Sequence, residues 1–292
     1  MKTHRAGGSR GYPRLQIEDF GRQLITTGDL DPIYIALQNV PWSAQQVDRW
    51  CVAYWCFYHA GVATYLSTLK GEAFWREMMV AARNEEPAPT GQRWARGSER
   101  RHFRGEQAIK ATAELTERYA DPADMVEYLR SWPGPGPVHY TDIAKRVKEH
   151  RGFGDWISFK VGDMLERCLR FPVEFDSGDV FMFADPTKAA LKLFRARSSL
   201  PEDARLVDEQ KAIRTVVDHL MKEFSDLSAP PCLSRPVRLQ EVETVLCKWK
   251  SHMNGHYPLG NDIIEIREGL HPWVDLVPAA GQFRDAMPED PR

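Results

Sequence analysis

No apolar run in this chain reaches the roughly 18 residues that a membrane-crossing helix needs, so neither a membrane span nor a membrane partner is expected. Cysteine is scarce and unpaired in number. The five thiols (Cys51, Cys56, Cys168, Cys232, Cys247) are scattered, which argues for reduced side chains in a cytosolic setting rather than a disulfide framework. Neither charge sign dominates: 39 Lys and Arg stand against 41 Asp and Glu, for a net charge of −2. No global field therefore draws the chain to nucleic acid, and any such binding must come from a local patch. The first 13 residues hold Gly and Arg but no apolar segment, so they read as a disordered lead with no signal peptide. Strand-like alternation occurs only weakly, around Val173 to Phe183, and there is no internal repeat.

What remains is helical patterning with ample core material: 42% of 292 residues are apolar, and nine are Trp. The fold class is expected to be all-α, with one catalytic domain over residues 14–277 and a flexible tail over 278–292. Leu15 to Thr26 predicts a helix. Asp31 before Pro32 fits an N-cap with Pro at N1, which leaves Asp29 beside it without a capping role. From Ser43 to Leu69, apolar residues at helical spacing predict one long, largely buried helix. It carries Tyr54, Trp55, Phe57, Tyr58 and His59. Further helices are expected over Phe74–Asn84, Gln107–Tyr119, Asp121–Arg130, Pro186–Arg197, Pro201–Leu227 and Val237–Lys250.

Two stretches look built for anions. Between helices predicted at Tyr140–His150 and Asp155 to about Leu169, Gly152 and Gly154 form a tight turn. Glycine lets backbone approach a ligand closely, and the following helix offers unpaired N–H groups and a favourable dipole. On that helix Trp156, Lys160, Asp163 and Arg167 share one face. The second stretch, Arg93 to Gly105, holds Arg93, Arg96, Arg100, Arg101, His102 and Arg104 with interleaved aromatics. Arginine suits bidentate phosphate contacts. Two anion-favouring elements in one protein are expected to serve one polyanion and so to lie side by side. Asp176, Asp179 and Asp185 sit in a Gly/Ser/Pro setting suited to caps or to a nearby acid or base. Near the end, Cys247, His252 and His256 do not make a metal site, because Gly255 and Pro258 break the helix that would align them. Lys248, Lys250 and Tyr257 read as polar contacts at a helix end.

The combination is Asp29-x-Asp31-Pro32, Trp55-x-x-Tyr58-His59, Arg100-Arg101-His102-Phe103-Arg104-Gly105, Gly152-Phe153-Gly154-x-Trp156-x-x-x-Lys160-x-x-Asp163, and Gly255-x-Tyr257-x-x-Gly260-x-Asp262. Over about Ile17 to Leu270 it resembles the phage amino acid:DNA transferases, also described as the α-glutamyl/putrescinyl-thymine pyrophosphorylase family. That family is distantly similar to helix-hairpin-helix DNA glycosylases. The Gly152–Gly154 turn resembles their hairpin, but Trp156 stands where a lyase-type glycosylase has its lysine.

The resemblance implies DNA bearing pyrophosphorylated 5-hydroxymethyluracil as substrate and a free amino acid (glycine among them) or polyamine as donor. It places the enzyme in the cytoplasm of an infected bacterium. Pyrophosphate departure needs positive charge, for which Arg100, Arg101 and Arg104 are candidates. Arg93, Arg96, His102, Gly152, Gly154 and Lys248 are candidates for phosphate or DNA contact. The amine must be neutral to attack, so Asp163, Asp179 or His59 is expected as base, with Lys160 beside it. Trp55, Tyr58 or Trp156 would stack the extruded base. Asp29, Asp31, Tyr257 and Asp262 are further site candidates. No metal site is assigned, and Mg²⁺ accompanying pyrophosphate stays open. A glycosylase-like enzyme and a non-catalytic DNA-binding module are the alternatives.

Overall fold

The computed structural model describes residues 12–100, 103–175 and 183–292. The lead up to residue 11 and the candidates Arg101, His102, Asp176 and Asp179 lie outside the described residues. In chain order the helices are α1 (Ile17–Thr27), α2 (Pro32–Asn39), α3 (Ala44–Phe57), α4 (Ala60–Ser67), α5 (Gly71–Arg83), α6 (Gly105–Arg118) and α7 (Pro122–Arg130). They continue as α8 (Tyr140–Lys148), α9 (Asp155–Arg167), α10 (Ala184–Arg197), α11 (Glu209–Glu223), α12 (Leu239–Met253), α13 (Asn261–Leu270) and α14 (Pro278–Asp285). Extended pairing among the described residues is confined to two short parallel strands, β1 (Val138–His139) and β2 (Val173–Glu174). The all-α class holds. No described helix is long and apolar enough to cross a membrane.

The chain forms two compact units. The first takes its described residues from Met1–Leu30, Val180–Asn261 and Asp290–Arg292. There α10 and α11 pack on each other and on α12, and α1 packs on α12. Apolar side chains at helical spacing, including Phe20, Leu24, Leu220, Val242, Val245 and Leu246, fill the space between them. Tyr12, assigned above to the disordered lead, is instead packed: its ring lies 4.9 Å from that of His252. The helix expected over Pro201–Leu227 begins later, because the Asp208 carboxylate accepts the Lys211 N–H at 2.9 Å and starts α11 there.

The second unit comprises Asp31–Asp179 and Asp262–Glu289. Its centre is α3, packed against α4, α7 and α9. The single long helix expected over Ser43–Leu69 is two helices. Tyr58 ends α3 in the left-handed region at φ 50°, and His59 starts α4 by accepting the Val62 N–H on Nδ1. Apolar periodicity runs through the break, so it did not reveal it. The tail expected to be flexible contains α14. Pro278 occupies its first turn and Phe283, fully buried, stacks on Trp50 at 5.1 Å. Burying that ring outweighs the local polarity of the segment.

Candidate active site

The two anion-favouring stretches do meet. Arg100 Nη1 donates to the Gly152 carbonyl at 3.0 Å, and its Nε donates to the Cys56 carbonyl at 3.3 Å. Its guanidinium also lies over the rings of Phe103 and Phe153, at 4.8 and 5.4 Å. Gly152 holds φ 80°, which glycine adopts without strain. Beside Arg100, the Gly97 N–H donates to the Phe57 carbonyl at 2.9 Å. The arginine loop therefore satisfies carbonyls that the end of α3 leaves open.

That geometry redistributes the arginines. Arg100 is only 6% exposed and joins α3 to the turn, so it is not a surface ligand for pyrophosphate. Arg96 closes the end of α5 by donating to the carbonyls of Ala81 and Ala82 at 2.7 and 3.0 Å. Its pKa is drawn down to about 10, first by burial and then by the like charges of Arg104 and Arg93. Those two are exposed, which leaves them as the solvent-facing cations of the loop among its described residues.

The shared face on α9 is real, but it is mostly buried. Trp156, half-buried in the first turn, meets the Tyr58 ring edge-on at 4.9 Å. Tyr58 in turn lies 4.5 Å from Tyr54. One turn on, Lys160 is 9% exposed, with its Nζ 5.3 Å from the Phe159 ring centre. Asp163 is fully buried and accepts a 2.8 Å hydrogen bond from the Tyr34 hydroxyl. Arg167 Nη1 lies 3.6 Å from that carboxylate and 2.5 Å from the carboxylate of Asp31. Asp31 therefore sits at the start of α2 without capping it: its side chain serves Arg167 instead. Arg167 supplies the positive charge between the two acids. Burial, then Asp163 and Asp31, push the Tyr34 hydroxyl well up from its ordinary range, so Tyr34 stays a protonated donor.

His59 and Trp55 do not fit their expected roles. His59 Nδ1 is engaged by the Val62 N–H, and burial lowers its pKa to about 4. A weakly basic ring whose acceptor nitrogen is occupied suits capping better than proton abstraction. Trp55 is fully buried, and its Nε1–H points to the Met164 sulfur at 3.1 Å, because position 55 faces α9 in the core. Only Tyr58 and Trp156 of the three aromatics reach the surface of the site. Asp262 bears on Tyr58 electrostatically.

Within the first unit, Asp29 is fully buried and accepts from the Gly260 N–H at 2.8 Å and the Tyr257 hydroxyl at 3.2 Å. Lys248 donates to the carbonyls of Asp29 and Leu30, both at 2.7 Å. Asp29, Tyr257 and Lys248 thus order the end of one loop. Lys248 is engaged by backbone carbonyls, which removes the case for it as a DNA contact. His252 has both ring nitrogens on backbone groups, Leu15 N–H at 3.0 Å and Tyr257 carbonyl at 2.8 Å. Tyr34 went unnoticed in the sequence: a lone Tyr in an apolar helix carries no spacing signal.

A family model described as amino acid:DNA transferase matches residues 25–256. The chain belongs to that family. As an amino acid:DNA transferase it is also similar to two phage proteins. It is 46% identical over 292 residues to the glycinyltransferase of Pseudomonas phage PaMx11, covering 96% of this chain and 99% of that one. It is 26% identical over 249 residues to the putrescinyltransferase of Delftia phage PhiW-14, covering 84% of this chain and 74% of that one. The family match takes in the arginine loop, the Gly152–Gly154 turn and the whole of α9.

Proposed function

We propose that this transferase attaches an amino acid, glycine first among the candidates, to pyrophosphorylated 5-hydroxymethyluracil in phage DNA, in the cytoplasm of the infected bacterium. The observation that carries the donor is the full-length similarity to the glycinyltransferase. In the reaction the donor nitrogen forms a bond to the 5-methylene carbon. The carbon–oxygen bond breaks, pyrophosphate leaves with its electron pair, and the nitrogen gives up a proton.

This reading assigns work to a few groups. Arg104 and Arg93, exposed and close enough to depress Arg96, suit the departing pyrophosphate or the neighbouring DNA phosphates. The Gly152–Gly154 turn, held by Arg100, presents the N-terminus of a 13-residue helix. An extruded base would find Tyr58 and Trp156 as its aromatic surface. Asp163 and Arg167, tied to Tyr34 and Asp31, would hold the α9 face that carries Lys160 and Trp156. The test is incubation with DNA carrying pyrophosphorylated hydroxymethyluracil, together with glycine or putrescine. A nucleoside in which glycine has replaced the pyrophosphate, with equimolar pyrophosphate release, is expected. Abasic sites, or retention of DNA without chemistry, would replace this reading.

A further inference from the structure

We infer that residues 12–15 form a strap across the end of α12, latched by the neutral ring of His252 and released when that ring takes a proton. The inference is independent of the transfer reaction and concerns the first unit alone. The Leu15 N–H donates to His252 Nε2 at 3.0 Å, and the Trp249 indole N–H donates to the Leu15 carbonyl at 3.1 Å. The Tyr12 hydroxyl donates to the His252 carbonyl at 3.1 Å and accepts the Tyr257 N–H at 3.0 Å. Arg14 Nε donates to the Met253 carbonyl at 3.2 Å. His252 and Met253 are in the last turn of α12, where helical hydrogen bonding runs out and carbonyls need other donors.

The tautomer of the latch follows from its neighbours. His252 Nδ1 lies 2.8 Å from the Tyr257 carbonyl, which can only accept, so Nδ1 carries the hydrogen. Nε2 is then the bare nitrogen that receives Leu15. The ring is 1% exposed and lies 4.4 Å from that of Phe20 and 4.9 Å from that of Tyr12. A second proton would sit on Nε2, opposing the Leu15 N–H, and would bring a charge among these rings. The strap presents Tyr12 and the cation Arg14 to the ring, α1 presents Phe20, and the turn presents Tyr257. Lys248, one turn back on α12, is held by the carbonyls of Asp29 and Leu30, and the Asp29 carboxylate accepts from Tyr257 and Gly260. Burial first, and Arg14 more weakly, hold the His252 pKa below its ordinary value, against the Tyr257 carbonyl, which raises it. The latch is therefore closed above about pH 6.5 and opens as pH falls below that value towards the depressed pKa of the fold. Opening takes from Tyr257 the hydroxyl that receives its N–H, and Tyr257 with Gly260 orders the buried Asp29. The strap lies ahead of residue 25, where the family match begins, so it supports this turn from outside the matched region.

The test is amide hydrogen exchange of the full chain, followed residue by residue by NMR and referred to the intrinsic rate at each pH. From pH 7.5 to pH 4.5 the protection of the Leu15 amide should fall by about five-fold or more, while that of Val245 within α12 holds. The nitrogen-15 signals of the His252 ring should show hydrogen on Nδ1 at pH 7.5 and should titrate over the same interval as the Leu15 protection. His252→Gln keeps an acceptor and cannot titrate, so its Leu15 protection should not follow pH. Tyr12→Phe should speed exchange of the Tyr257 amide by about five-fold or more at pH 7.5 without any change of charge. Constant Leu15 protection in the wild type overturns the inference. So does an equal fall in His252→Gln, an equal fall at Val245, or a ring that titrates in a different interval from the Leu15 protection.

Discussion

His59 shows how one residue can look catalytic and be architectural. Its ring closes the start of α4 in the neutral form, with a pKa of about 4 against an ordinary value near 6.5. The folded state therefore binds the proton less readily than the unfolded chain. The resulting stability is fully present above about pH 6.5 and is lost as pH falls through that value towards 4. Thermal melts between those limits should show a falling Tm in the wild type. His59→Asn keeps a capping acceptor and removes the titration, so its melt should lose that part of the slope. An identical slope in the variant would show that His59 is not the group responsible. The arginines divide similarly. Arg100→Ala leaves two buried carbonyls without their donor and should cost about 2–4 kcal/mol of stability. Arg104→Ala removes an exposed side chain and should leave the melt within about 0.5 kcal/mol of wild type. If it serves pyrophosphate, kcat/KM for transfer falls by roughly 10²–10³. Transfer at the wild-type rate in that variant would remove Arg104 from the reaction.

At the scale of elements, the two glycines of the α8–α9 turn separate fold from function. Gly152 sits at φ 80°, so Gly152→Ala should destabilise by about 1–2 kcal/mol even though its Cβ would meet only ordinary contacts with Phe103 and Ala111. Gly154 has φ −94° and open space around it, so Gly154→Ala should melt like the wild type. If backbone must approach a DNA phosphate there, the same substitution weakens DNA binding, measurable by fluorescence anisotropy. Unaltered affinity would mean that the turn does not approach DNA closely. This turn was legible in the sequence because glycine spacing and the helices on either side are local signals. The end of α3 was not. Tyr58 is a β-compatible aromatic in a run of core aromatics, and nothing local announces a left-handed residue there. Its conformation is held by tertiary contacts, with Gly97 and Arg100 satisfying the carbonyls of Phe57 and Cys56. The α9 face was legible from its four-residue spacing. Its burial was not, because the partners Tyr34 and Asp31 lie more than 120 residues away along the chain.

For the whole molecule, a net charge of −2 sets the terms on which the proposed DNA substrate can be held. Long-range attraction is absent, and screening limits any patch to about 8–10 Å at ordinary salt. Affinity must then rest on a few local cations, and the structure offers Arg93 and Arg104 exposed on one loop, with Arg96 between them feeling both charges. Two phosphate contacts would give a slope of roughly −1.8 for log K against log salt, and a loss of roughly 12-fold between about 50 and 200 mM. Arg93→Ala and Arg104→Ala should each make the slope shallower by about 1, with similar effects on all DNA sequences. Arg100→Lys is the control. Its side chain is buried on backbone carbonyls, so it can change stability but should leave the slope as it is. Anisotropy titrations across that salt range decide the matter. A slope near zero would leave base stacking at Tyr58 and Trp156 as the main source of affinity. A slope that falls as much in Arg100→Lys as in Arg104→Ala would mean that phosphate reaches the buried guanidinium, contrary to its place beneath the turn.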